Sequence, residues 1–593
     1  MTIYYVCSFS GNDANSGSLE APFKTIQCAS NLAQPGDTIR VQPGIYRERI
    51  SPPRGGLSND TRIIYKSVVP KAAIVRGSTS WIPTQKYSDT IYYDSLDPSL
   101  FTDTSAIDGP NPFRVPFCVT PYNRNGAPEF KAGDKTADQN MVYSLGQVFV
   151  NDSMYKQCPY LKEIEGNPGS WYYDLSNNLL YVNLKQGIEN SIIEITNQRR
   201  LFAPHIRQLR YINIDGFIFE RCGNNYPNQF WTIPQNIQSG MIGTRSGKFW
   251  IIKNNIIQFA SGIGIDWGNE GNATQDLETG NNGQATGSYG HIIENNYICD
   301  NGAAGTASFM GKNFTFSNNI VEHNNNLLFY GKRRWESAGL KVHTPSNSVI
   351  NNNIIRDNYC NGIWSDQGAG QNSVFKNNII LNNNGNGINF EIGTNTSGKV
   401  INNILDGNDY NICFATSGGC LIAHNLFLSS KKGDIHTYTF NRPDKWDSLN
   451  LEIFYNIFTT SSNYINLTTS NSISSRFLNY NQYAKDDKFT FMPDNKTSIP
   501  HKFLDWINRW SSFNNGTNSD EKSVLHENMI SLQIQNDQYV LSFNNDSFKS
   551  QPLIQRSDIV DDYFGTLWNE ENCKTGPFSS NKSNTIILCP TNF

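Results

Sequence analysis

One short phrase recurs along the middle of this chain and limits what it can fold into. It reads KNNII at 253–257, ENNYI at 294–298, SNNIV at 317–321, NNNII at 351–355, KNNII at 376–380 and INNIL at 401–405. Weaker copies follow, AHNLF at 423–427 and FYNIF at 454–458. Taking the Asn before the Ile as marker, Asn353, Asn378 and Asn403 are 25 residues apart, and Asn296 and Asn319 are 23 apart. Units this short bury their apolar side only by stacking on neighbours. No copy carries a helical pattern and none has an LxxLxL frame, so the period predicts an all-β, right-handed parallel β-helix with three short strands per coil. Longer gaps at Asp266–Gly290, Gly331–Glu336 and Lys431–Leu449 predict loops inserted at one corner. An Asn at a bend tolerates a left-handed backbone and hydrogen-bonds between coils, so the Asn ladder reads as structural.

Three segments inside the repeat share a second pattern: SAGLKVH, CNGIWSD and GNGINFE. Counted from Gly339, Gly362 and Gly387, one alternate set is Leu340, Val342, Ile363, Ser365, Ile388 and Phe390. The other is Lys341, His343, Trp364, Asp366, Asn389 and Glu391. Period-2 alternation of this kind marks strands buried on one side. His343, Asp366 and Glu391 then stack in one outward column.

The flanks break the repeat. Residues 1–79 read as a cap and the first coils: Phe23, Ile26, Ala29 and Leu32 are spaced for one face of a short helix, Pro35-Gly36 stops it, and Thr38 to Val41 reads as a strand. Residues 80–202 hold strands of another kind, including a hairpin around Ser176-Asn177-Asn178, and read as an inserted β-sandwich. The main β-helix occupies 203–470. Residues 471–593 add a short helix at HKFLDWINRW, paired strands at SLQIQNDQYVLSF, and a closing segment expected to fold back over the last coil.

A chain of 593 residues with net charge −4 carries no basic excess, so nucleic acid is not an expected partner. No apolar run approaches a membrane-spanning length. The start, MTIYYVCSFS, has neither the basic nor the apolar region of a secretory signal, so a cytoplasmic chain is the expectation. The 11 cysteines form no CxxC pair, which argues against a zinc site, and Cys222, Cys299 and Cys360 read as small buried fillers. No cofactor is required. Asp/Asn-rich turns are compatible with a structural calcium ion, and nothing excludes a homo-oligomer.

The column carries the chemistry. Asp366 and Glu391 each lie 13 residues after their markers, on consecutive coils. Coils sit about 4.8 Å apart, which brings the two carboxyls to roughly the separation of retaining glycosidases, about 5–5.5 Å. Like charges opposed in a sheet repel, and one relief is for one acid to keep its proton, as a general acid must. Trp364 is placed for a sugar to stack on. Lys341 and His343 sit one coil below, placed to keep Asp366 ionised or to bind hydroxyls. Glu336 ends an excursion, GKRRWES, that overhangs the column, and Asp266, four after Gly262, is read as an extension of it.

AGLKVH, GIWSDQ and INFEIG together resemble the catalytic coils of glycoside hydrolase family 120 β-xylosidases. The resemblance touches the N-terminal cap and GGLSNDTRIIYK as well, and that family couples a right-handed β-helix to a β-sandwich. It implies Asp366 as nucleophile, Glu391 as acid/base and Glu336 as a further acid near the sugar, and Lys341 and His343 match residues of the same strand. From their place on the outward face, Lys341, His343, Trp364, Asn389 and Asp266 are expected to bind substrate, and no metal is expected. Gln367-Gly368, Gly393-Thr394-Asn395 and the loop 267–289 depart from the xylosidase pattern, which bears on sugar specificity more than on the reaction. Two rivals remain at this point. One is a polysaccharide lyase on the same scaffold, using Lys341 with Arg333, Arg334 and Arg356. The other is a non-catalytic, glycan-binding surface solenoid.

Overall fold

The computed structural model describes every residue except 104–108, 119–141, 226–237, 271–286, 329–336, 368–370, 394–396, 439–450, 469–476, 493–498, 514–519, 528, 545–546, 555, 558, 580–583 and 591–593. The chain divides into two compact units. The first is Met1–Ile292 with Asn296–Phe309 and Asn324–Ser337, and the second is Ile293–Asn295 with Met310–His323 and Ala338–Phe593.

In the first unit, strand Ile3–Val6 pairs in parallel with Thr38–Val41, which pairs with Ile63–Ser67. The next rung is Ile212–Asp215, and then Ile251–Lys253. The coil therefore resumes in register after an excursion of well over a hundred residues. Helix Ile26–Leu32 is capped by Thr25, whose side chain accepts from the Cys28 amide. Phe23, Ile26 and Ala29 are buried as the spacing predicts, but Leu32 is 47% exposed, because the inward face runs through Ile26, Ala29 and Ser30 to Ala33 and passes beside it.

The excursion folds on itself. Among the described residues its strands run in the order Ser78–Ser80, Ile193–Thr196, Val148–Val150, Ser153–Gln157, Ser170–Asp174, Leu179–Asn183, Ile91–Ser95, Gln85–Lys86. The expected hairpin is Ser170–Asp174 against Leu179–Asn183, with Asn178 left-handed at φ 57°. The strands fall into two halves that share one strand, as the expected β-sandwich does. Strand Ser153–Gln157 pairs with Val148–Val150 at its start and with Ser170–Asp174 at its end, which joins the halves. They enclose one apolar core around Phe113, Trp171, Tyr173 and Leu180.

The second unit shows the repeat plainly. One rung series is Val349–Asn351, Val374–Lys376, Gly398–Ile401, Cys420–Ala423 and Glu452–Phe454, all parallel. Another is Ile354–Arg356, Ile379–Leu381 and the start of Ile404–Ser417. A third is Ala338–His343, Asn361–Asp366, Ile388–Gly393 and the end of Ile404–Ser417. Ile350, Ile355, Ile363, Phe375, Ile380 and Ile388 fill the interior with no exposed surface. This is a right-handed parallel β-helix.

The doubled Asn splits its work between two residues. Asn352, Asn377 and Asn402 take the left-handed turn, each at φ 57°. The marker after each points inward and forms the ladder: Asn353 Nδ2 donates to Asn378 Oδ1 at 2.9 Å, Asn378 to Asn403 at 2.9 Å, and Asn403 to Asn425 at 3.0 Å. A second ladder runs parallel to it through Asn358, Asn383 and Asn408.

Helix Phe503–Phe513 packs Phe503 and Trp506 against Phe489 on the last coil. The closing segment, expected over that coil, instead lies along the flank. Trp568 stacks on His424 at 4.3 Å, Tyr455 donates to the Pro552 carbonyl, and Asn377 and Asn402 donate to the carbonyls of Tyr563 and Asp561. The left-handed turn positions thus supply a polar, aromatic side for the tail. The predicted paired strands form the hairpin Ile530–Gln535 with Gln538–Phe543. Cys222, Cys299 and Cys360 are buried. Among the described residues, no helix is long and apolar enough to cross a membrane.

Candidate active site

Three consecutive strands of the second unit build the site. His343 is in register with Asp366, and Asp366 with Glu391. Beside this column runs another, Lys341, Trp364, Asn389. Between them Leu340, Val342, Ile363, Ile388 and Phe390 point into the coil with no exposed surface. Phe390 is held from inside by Phe375 at 5.2 Å and Phe414 at 5.1 Å, so the strand bearing Glu391 rests on packed rings.

Each strand of the column ends on a left-handed residue: Thr344 at φ 47°, Gln367 at 56° and Ile392 at 53°. Glycine occupies none of these positions, and two are β-branched, where such a backbone is a true outlier. Strain of about 1–3 kcal/mol per position persists only where the surroundings enforce it, and it gathers at functional sites. The turn also lets the Gln367 amide donate to Asp366 Oδ1 at 2.8 Å.

Charge is concentrated on Asp366. Lys341 Nζ lies 2.9 Å from its Oδ2 and His343 Nε2 lies 3.3 Å from the same oxygen. Lys341 has no exposed surface and His343 is 4% exposed. Burial pushes the Asp366 carboxyl up, but the Lys341 ammonium and the His343 hydrogen bond outweigh it and hold the group well below the usual carboxylate range. Asp366 is therefore an anion fixed in position, with part of its side chain still open to solvent. Glu391, one coil on, is half-buried.

Trp364 differs from its expectation as an open platform. It is 8% exposed, and the Lys341 ammonium sits 3.3 Å from its ring centroid, so one face is already taken. A cation over an indole is favourable, and more so when desolvated. Its indole nitrogen is buried without a hydrogen-bond partner, which leaves a donor for a ligand. Asn389, 5% exposed, is oriented by Asn386, whose Nδ2 donates to its Oδ1 at 2.8 Å.

Asp266 does not behave as a further outward acid. It lies in the first unit, fully buried, in register with Ala307. Gln238 and the Gly268 amide donate to it at 2.9 and 2.6 Å. Burial, then the charge of Glu270, pushes its carboxyl up to about 8. Glu336, Arg333 and Arg334 lie outside the described residues. Arg356 is on a different rung series, held by Glu322 and by the Tyr539 hydroxyl at 2.7 Å. With Lys341 bound to Asp366, the two described cations of the lyase reading are both engaged. Among the described residues, no group of three or more His, Cys, Asp or Glu is placed to hold a metal ion.

Fold and site together define a right-handed parallel β-helix protein with a carboxylate pair on adjacent coils. Residues 239–427 match the family described as a right-handed β-helix region, and residues 9–51 match a family of unknown function, DUF1565. The chain shares its fold with XylC, solved as a complex with xylose. That likeness has a TM-score of 0.75 at 20% identity and covers 99% of this chain and 100% of XylC. Looser likenesses are to a structure described as a glycoside hydrolase (TM-score 0.42, 11% identity, 71% of this chain and 96% of that one). Another is to the GH136 lacto-N-biosidase of Eubacterium ramulus (TM-score 0.39, 14% identity, 75% and 66%). No curated protein matches the sequence significantly.

Proposed function

We propose that the protein is a retaining glycoside hydrolase that releases β-linked xylose, or a closely related sugar, from small oligosaccharides. The observation that carries this reading is the register of Asp366 with Glu391 on adjacent coils. Strand spacing of about 4.8 Å favours the short carboxyl separation of double displacement over the about 6.5–9.5 Å of inversion. Asp366, pinned as an anion, attacks the anomeric carbon. Like charges opposed across strands repel, so the reading puts the proton of the pair on Glu391. Glu391 protonates the leaving oxygen and then takes a proton from the water that releases the sugar. His343, Trp364 and Asn389 border the sugar, and the reading requires no cofactor. XylC was solved with xylose bound, which supports that sugar as the first to try.

Hydrolysis of 4-nitrophenyl β-xyloside and α-arabinoside tests it. Asp366→Asn should lose about 10⁴-fold or more in kcat while remaining folded. Glu391→Ala should lose about 10²–10⁴-fold on oligosaccharides, and less on nitrophenyl glycosides, whose leaving group needs little protonation. The first product anomer, read by NMR, should keep the configuration of the substrate. Wild-type turnover by Asp366→Asn, or an inverted first product, sinks the reading.

A further inference from the structure

The outward face that carries the acids continues beyond them. Within the second unit, the column of Asn389 runs on through Cys413 and His436 to Asn466. The column of Glu391 runs on through Ala415 to Tyr438. The coil next to Glu391 thus presents small side chains, Cys413 and Ala415. The coil after it presents the rings of His436 and Tyr438, 5.5 Å apart with planes at 27°, and Tyr410, from the strand that also carries Cys413 and Ala415, stacks on His436 at 4.2 Å with planes 10° apart. At about 4.8 Å per coil, His436 and Tyr438 lie about 10 Å from Glu391 along the axis.

Two polar atoms on this face are buried without a hydrogen-bond partner, His436 Nδ1 and Asn466 Oδ1. Their residues are 7% and 6% exposed. Natural folds rarely keep such atoms, and where they do a missing partner is the first explanation. Burial, then the charge of Lys432, pulls the His436 imidazole down to about 4, so the ring is neutral at neutral pH and offers one donor and one acceptor. Lys432 itself is paired with Asp409 at 3.0 Å. Aromatic bodies with a few neutral donors and acceptors form a site for a neutral polyhydroxylated ligand.

We propose that Tyr410, His436, Tyr438 and Asn466 form a distal subsite that holds a neutral sugar unit of a β-linked oligosaccharide while another unit lies at Asp366 and Glu391. This rests on the glycosidase reading and deepens it, from a pocket for one sugar to a trench for at least three.

Calorimetric titration of the Asp366→Asn protein with β-linked xylo-, gluco- and manno-oligosaccharides of one to four units tests it. Affinity should rise at least tenfold between two units and three in one series. Tyr410→Ala and Tyr438→Ala should remove that gain, while Tyr438→Phe keeps most of it. Tyr438→Phe and His436→Gln, checked by circular dichroism, guard against a variant that fails to fold. No gain with length in any series overturns the proposal. So does a gain that survives both alanine variants, and so does tighter binding of a uronate oligomer than of every neutral one. Length-dependent binding without hydrolysis by the wild type would keep the trench and remove the hydrolase. Hydrolysis without length dependence would do the reverse.

Discussion

Two buried neighbours decide the ionisation of the candidate nucleophile. Burial alone would raise the Asp366 carboxyl, and Lys341 with His343 reverses the sign. In Lys341→Met the charge is gone while His343 remains, so burial is opposed less and the carboxyl moves up by about 1–3 pH units. The acid limb of kcat/KM, which reports the free enzyme's essential groups, should move to higher pH by that amount. Coincident limbs in wild type and variant would show that Lys341 does not set the nucleophile. The pairing of Asp366 with Glu391 was legible in the sequence because both stand 13 residues after their marker Asn, with no insertion between marker and acid. Asp266 was placed in the column by its position four after Gly262, yet it stands 11 residues after Asn255, out of step with the two acids. Alternation also placed Trp364 outward, but alternation says nothing about what lies over a face, and Lys341 lies over this one.

At the scale of the strand and turn, the repeat is held by two adjacent asparagines with separate tasks. Asn378 accepts from the Asn353 amide at 3.1 Å and donates to the Ile350 carbonyl at 2.9 Å, so its loss strands two buried backbone groups. Each stranded group costs about 1–3 kcal/mol, and Asn378→Ala should destabilise by about 2–5 kcal/mol in urea unfolding. Asn377 only supplies a left-handed turn and reaches the Tyr563 carbonyl, and Asn377→Gly keeps that backbone at little cost. Equal losses in the two variants would contradict the division. Period and strand count were legible because both follow from chain length per coil. The division between the asparagines was not, since a doubled letter does not say which residue faces inward. The second ladder was visible at the same 25-residue spacing in Asn358, Asn383 and Asn408, but it lacks the Ile that flagged the first. The course of the closing segment depends on contacts such as Trp568 with His424, 144 residues apart in the chain, and no local pattern encodes those.

For the molecule taken whole, the interior holds acids and imidazoles that both stay neutral near pH 6, and they act on stability with opposite sign. Burial pushes Glu48 up to about 7 and Asp266 and Asp434 up to about 8. These carboxyls hold protons in the folded chain that the unfolded chain has released above about pH 4.5, so stability falls as pH rises through their window and levels off above about 8. Burial pulls His291 down to about 3, and His424 and His436 down to about 4. Their unfolded counterparts bind protons below about 6.5, so stability falls as pH drops below that value. Between about pH 4.5 and 6.5 the two sets oppose each other. Of these two sets the carboxyls act above about 6.5, and Asp366 and Glu194, held low by their cationic neighbours, are already ionised in both states. The melting temperature should therefore hold a broad maximum near pH 5–6.5 and decline from there to about pH 8.5. Replacing both Asp266 and Asp434 by Asn removes the two carboxyls pushed up to about 8 while keeping their shape, and should flatten most of the decline. A melting temperature that stays level or rises between pH 6.5 and 8.5 in the unaltered protein would mean that these interior carboxyls carry charge after all.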